Sequence, residues 1–168
     1  MLRVIFDTNI YGHLLNEPDG GEIEDKIVAE TNFIVYGYKP IRKELRDIHT
    51  INPLSKRTRN LLLTMYDRIT GKHHLPDSGA IFNLAKKYHE QYKWLGGTYG
   101  WHTSIKVDFM IVACASINGL DLICSADNKT LLANKAQEAY DHINISENLR
   151  TPKFLKYEHL LKKFRGLL

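Results

Sequence analysis

Three short apolar runs, far apart in the chain, each carry an aspartate, and two of them lead into it. Leu2-Arg3-Val4-Ile5-Phe6 runs straight into Asp7-Thr8-Asn9. Leu122-Ile123-Cys124-Ser125-Ala126 runs into Asp127, and Asp108 enters the longer apolar stretch Val107 to Ala113. Short β-rich runs of this kind read as buried strands, and the longer stretch as a helix. An aspartate at the carboxyl end of a buried parallel strand lies where open α/β sheets place their ligands. Three such carboxylates on one edge describe an acidic pocket that needs a cation, because clustered like charges disfavour each other's ionised forms.

The segments between these runs alternate in the same way. Asn16 to Gly21 is rich in turn residues, and Glu22 to Glu30 is predicted as a short helix with Ile23 and Ile27 on one face. Asn32 to Tyr36 reads as the second strand, and Pro40 opens a helix over Ile41 to Asp47 with Ile41, Leu45 and Ile48 aligned. Two longer helices follow. Leu61, Leu62, Met65 and Ile69 form the apolar stripe of the first, behind Lys56-Arg57-Thr58-Arg59; Ile81, Leu84, Ala85, Tyr88, Tyr92 and Leu95 form that of the second. Trp94 to His102 is expected to be a glycine- and aromatic-rich loop. Helix, strand and helix then run through Tyr140, and Ile143 to Ile145 reads as a last strand. Thr151-Pro152 reads as the start of a final helix burying Phe154, Tyr157, Leu161 and Phe164. Short strands alternating with helices predict an α/β fold with a parallel sheet, and 168 residues predict one domain over 1–168.

Composition excludes several classes. No apolar run approaches the roughly 18 residues of a membrane span, and the chain opens on a strand rather than an export signal, so a cytoplasmic protein with no membrane partner is expected. Cys114 and Cys124, both in apolar segments, read as small buried hydrophobes. A net charge of +4 and a pI near 9.0 lean towards a polyanionic partner.

Taken singly, Asp7, Asp108 and Asp127 each have an ordinary explanation as a strand-end residue or helix cap. Together they are better explained by convergence on one sheet edge. Glu44, on the helix after the second strand, belongs to the same edge, although it could equally pair with Lys43 or Arg46. Hard oxygen donors of this kind suit Mg2+ or Mn2+, and no thiolate–imidazole set suitable for zinc is present. His73-His74 reads as a solvated loop pair. The chain has no glycine-rich phosphate loop.

The ordered set Val4-Ile5-Phe6-Asp7-Thr8-Asn9, Glu44, Asp108-Phe109-Met110-Ile111-Val112-Ala113 and Ser125-Ala126-Asp127 resembles the PIN domain, a family of metal-dependent ribonucleases that includes VapC-type toxins. The resemblance spans Leu2 to Ile145. It implies a Rossmann-like parallel sheet between two helical layers, with Asp7, Glu44, Asp108 and Asp127 as an acidic quartet that binds magnesium or manganese and hydrolyses RNA. It also implies supporting roles for Thr8, Asn9 and Ser125, an antitoxin partner and a homodimer. The rival readings are a non-catalytic RNA- or protein-binding module on the same fold, and a structure-specific DNA nuclease sharing the metal site. For the substrate, Arg42, Lys43, Arg46, Lys56, Arg57 and Arg59 are candidate phosphate contacts and Trp101 a candidate base-stacking residue. Tyr88 and Tyr92 are candidates for a subunit interface, or else close the chain's own core.

Overall fold

Val4, Ile5 and Phe6 are fully buried, as a strand covered on both faces requires. In the computed structural model, which describes residues 1–48 and 53–167, they belong to β1 (Leu2–Phe6), the central strand of a parallel sheet. Among the described residues the sheet has five strands in the order β3-β2-β1-β4-β5. The others are β2 (Phe33–Tyr38), β3 (His74–Leu75), β4 (Leu122–Ser125) and β5 (Lys153–Lys156). Ile5 registers with Tyr36 on one side and Ile123 on the other. The chain therefore winds outward from β1 in both directions, and the crevice at the carboxyl ends of β1 and β4 is the switch point where such sheets bind ligands.

The connections are helical. They comprise α1 (Thr8–Asn16), α2 (Gly20–Ala29), α3 (Lys39–Arg46), α4 (Pro53–Thr70), α5 (Gly79–Trp94), α6 (Ile105–Ile117), α7 (Asn134–Ser146) and α8 (Tyr157–Phe164). The first four and α8 pack among themselves, as do α5, α6 and α7, so two helical layers enclose the sheet. Over Phe109 to Ser116 helix α6 has no exposed face, which marks a segment enclosed on every side, while its first turn at Lys106 opens outward. Ser78 caps α5, its Oγ accepting from the Ile81 N–H at 3.3 Å.

A side chain from α4 fixes the end of β2. The Tyr66 hydroxyl accepts from the Tyr38 N–H at 2.8 Å and lies 3.3 Å from the Tyr38 carbonyl oxygen, to which it donates. Gly37 makes the approach feasible, since a Cβ there would stand 2.6 Å from that hydroxyl and 2.7 Å from His74 Nδ1.

Several sequence expectations need correction. Lys153–Lys156 is a strand, not the start of the last helix: it pairs with β4, and the Lys153 N–H donates to the Asp121 carbonyl at 2.9 Å. Phe154 is consequently only half-buried, and α8 buries Tyr157, Leu160 and Phe164. Ile143 to Ile145 lies within α7, with Asn144 buried and Ile145 79% exposed. In α4 Leu61 is exposed and Tyr66 takes its place in the stripe; Ile48 is exposed after α3. His74 is in β3 rather than a loop, and Trp94 ends α5. Tyr88 and Tyr92 are interior, ringed by Phe109 and Tyr140, so the interface expected of them is instead this chain's own core. Cys114 and Cys124 are free and buried, as anticipated.

Candidate active site

Each carboxylate of the predicted quartet reaches the switch-point crevice on a different element. Asp7 follows β1 directly, and its N–H extends the ladder by donating to the Cys124 carbonyl at 2.9 Å, which draws it beside β4. There the Ser125 hydroxyl donates to Asp7 Oδ2 at 2.6 Å, while Asp7 Oδ1 accepts from the Thr8 N–H at 2.7 Å and caps α1. Asp127 follows β4 in a turn closed by its own carboxylate, which accepts from the Lys129 and Thr130 N–H groups at 2.9 and 3.0 Å. Asp108 sits in the first turn of α6, which runs back against the strands and so begins at their carboxyl edge. Glu44 reaches in from α3 and accepts from the Thr8 hydroxyl at 2.6 Å.

Hydroxyl groups join the acids in pairs. Thr8 links Asp7 to Glu44 through its N–H and Oγ1. Thr130, which sequence reasoning missed, lies with its Oγ1 2.5 Å from Asp108 Oδ2 and in contact with Asp127 Oδ2. Ser125 holds Asp7 and also accepts from the Asp127 N–H at 3.0 Å. Asn9 contributes its Oδ1 to the Ala126 N–H at 3.2 Å, tying α1 to the turn after β4. Of the three supporting residues, Thr8 and Ser125 contact the carboxylates themselves, whereas Asn9 accepts from the backbone beside them. No sequence signal marks Thr130 beyond its position three residues after Asp127.

The electrostatics are set first by burial and then, at Asp7 and Asp108, by neighbouring like charges. Burial pushes the Asp7 carboxyl up to about 6, against the hydrogen bonds from Ser125 and Thr8, and the charges of Glu44 and Asp127 raise it further. Burial followed by the charge of Asp7 pushes Asp108 up to about 8, with Asp127 and Glu44 adding to the rise. Glu44 is raised too, by burial, with the Thr8 hydroxyl opposing. Without a counter-charge the site therefore holds protons that carboxylates ordinarily release. The donor chemistry fits a hard divalent cation, which would take the place of those protons. Among the described residues no three acidic, His or Cys side chains stand close enough to grip an ion as a ready-made set, and the Thr130 hydroxyl stands between Asp108 and Asp127.

No family model and no curated protein matches the sequence. Among solved structures, the fold superposes on a chain of VapBC2 from Rickettsia felis, solved bound to a DNA fragment from their promoter, with a TM-score of 0.60. The match covers 92% of this chain and 98% of that one at 10% sequence identity. The fold is that of a PIN domain. At this identity the likeness is one of architecture, and the PIN fold alone does not fix an activity.

Around the acidic crevice the basic and aromatic candidates divide. Arg42 is held by Asp67 through two bonds of 2.9 Å, and Arg46 by Asp47 at 3.1 Å. Lys56 and Arg57 line a second groove of about 350 Å3 on α4, with Arg59 partly exposed on the same helix. Lys43 alone of the group borders the larger groove beside Glu44, which has a volume of about 650 Å3. Trp101 is half-buried, edge-on to Phe82 and tilted against His89. No helix among the described residues is long and apolar enough to cross a membrane.

Proposed function

We propose that this PIN-fold chain is a divalent-metal-dependent endoribonuclease, hydrolysing RNA phosphodiesters at the crevice formed by Asp7, Glu44, Asp108 and Asp127. The observation that carries the reading is the convergence of four carboxylates on one sheet edge, where Asp7 and Asp108 are raised first by burial and further by their acidic neighbours, a cost in folding that structure alone does not require. Asp7 and Asp108 would be the principal holders of Mg2+ or Mn2+, with Asp127 and Glu44 completing the set. A few direct carboxylates with retained waters suit magnesium, which accords with acids spaced by hydroxyls. When bound, the ion lowers the pKa of a water and offsets charge on the leaving oxygen. The chain's own groups do the rest. Ser125 and the Thr8 N–H fix both oxygens of Asp7; the Thr8 hydroxyl orients Glu44. Glu44, its pKa raised by burial, is suited to take the proton of an attacking water. Thr130 holds Asp108 and Asp127 in one register.

A protein partner of antitoxin type belongs to the same reading, by analogy with the VapBC2 complex that shares the fold. The purified protein should cleave RNA with magnesium or manganese and stop in EDTA. Asp7→Asn and Asp108→Asn should each cut turnover by orders of magnitude while leaving the protein folded. Cleavage that persists in EDTA, or in either variant, overturns the mechanism. Binding of RNA by the intact chain without any cleavage would instead favour a non-catalytic module.

A further inference from the structure

The groove beside Glu44 is not needed to hold a metal, yet its walls are chemically specific. It opens between α3 and the first turns of α5 and α6, and Val107 and Met110, either side of Asp108, form part of its floor. Lys39, Lys43 and Lys106 border it. Among the described residues none of the three is ion-paired, whereas Arg42, Arg46, Arg68, Arg150 and Arg165 all are. The acids on the same wall are engaged: Asp47 by Arg46, and Asp77 by the Tyr38 hydroxyl at 2.9 Å and the Ser78 N–H at 3.0 Å. The three ammonium groups are therefore free of ion pairs, although Glu44 and Asp77 stand on the same wall.

The same wall carries an open aromatic ring. Phe82 is 37% exposed, and Trp101 supports it edge-on at a centroid separation of 5.7 Å and 81°. The ammonium of Lys106 lies 5.6 Å from the Phe82 centroid, so a flexible side chain lies over that ring. Lys86 stands 5.0 Å over Trp101, and His89 packs behind it.

Resting on the nuclease reading, we infer that this groove seats an unpaired RNA strand, with Lys39, Lys43 and Lys106 on successive phosphates and one base stacked on Phe82. Lys39 and Lys43 are four apart on α3 and share a face, so their ammonium groups can follow one backbone. A base that takes the ring face displaces Lys106, whose charge is then free for the neighbouring phosphate. Paired bases are stacked within their own duplex and have no face to offer, so the groove discriminates in favour of single-stranded RNA. The ring comes from α5 and the lysines from α3 and α6, so only the fold brings them to one groove.

The test is binding of a labelled single-stranded RNA and of its duplex to the cleavage-deficient Asp108→Asn protein in EDTA. Phe82→Leu, added to that protein, keeps apolar volume on Trp101 while removing the aromatic face. It should weaken single-strand binding about fivefold or more, with little effect on duplex binding and an unchanged melting temperature. Replacing Lys39 and Lys43 together with Gln should lessen the slope of log affinity against log salt by about 1 to 1.5. Equal affinity of the Phe82→Leu protein for the single strand, preference for duplex, or an unchanged salt slope overturns the assignment. If the unaltered protein cleaves RNA but Phe82→Leu changes nothing, the groove reading fails alone. Phe82-dependent binding, with no cleavage by the unaltered protein in metal, would sink the nuclease reading and leave the groove standing.

Discussion

Asp108→Asn should make the metal-free protein more stable, and more so at neutral than at acid pH. In the folded chain the Asp108 carboxyl titrates at about 8, against 3.8 for an unperturbed group, because it is buried against Asp7, Asp127 and Glu44. Between those values the folded chain keeps a proton that the unfolded chain has released. Stability therefore falls as pH rises through the window and levels off above it. Each pH step within the window costs about 1.4 kcal/mol, so the loss accumulated by about pH 7 is roughly 4 kcal/mol. The amide introduced by the substitution must be accommodated in the same buried place. It can retain the Thr130 contact, but one imperfectly satisfied N–H costs about 1–2 kcal/mol. A net gain of about 2–3 kcal/mol remains, corresponding to about 4 to 12 °C in melting temperature for a chain of this size. At about pH 4.5 the carboxylate has lost only about 1 kcal/mol, no more than the amide costs, and the gain should vanish. Thermal melts of both proteins in EDTA at the two pH values decide the point. An equal gain at both, or a loss at neutral pH, would show that Thr130 satisfies the carboxylate and that its neighbours do not strain it.

Two further outcomes are expected. Thr130→Val preserves volume but removes the hydroxyl between Asp108 and Asp127; it should weaken Mn2+ binding by about 10- to 100-fold, measured calorimetrically. Unchanged affinity would reduce Thr130 to a turn residue. Tyr88→Phe removes a hydroxyl that donates to Asn144 Oδ1 at 2.6 Å in a buried cluster with Ser116, and should cost about 1–3 kcal/mol in denaturant unfolding. RNA cleavage and molar mass across a dilution series should be unaffected; a change in mass would return Tyr88 to an interface.

What could be read from the sequence was whatever local chemistry dictates. The buried run Val4-Ile5-Phe6 of β1 and the stripe of α5 are plain in the sequence, and Asp7 declares itself because a charge can follow such a strand only at an edge. The failures are cases where a distant partner decides. Lys153-Phe154-Leu155-Lys156 is a strand because β4 offers an unpaired edge, which outweighs the helix-start signal of Thr151-Pro152. Ile143 and Ile145 alternate like a strand, yet they flank Asn144, whose amide donates to Ser116 and Thr151 from within α7. In the site, Glu44 was assignable by position, but Thr130 was invisible, since a hydroxyl gains its meaning only from two carboxylates that the fold brings to it. Arg42 and Arg46 looked like phosphate contacts because sequence shows charge and hides the pairing that neutralises it.

The missing side chain at Gly37 has a reach well beyond its own strand. By leaving room for the Tyr66 hydroxyl on the last peptide of β2, it sets where the chain leaves the sheet, and α3 begins at the next residue. Glu44 hangs from that departure point. The fourth acid of the crevice is thus aimed from behind, by an absence on one side of the sheet and a phenol lent from α4. A single methyl group at position 37 would push on the phenol and on His74, and so swing the carboxylate. The specification of an acidic centre here includes a position with no side chain.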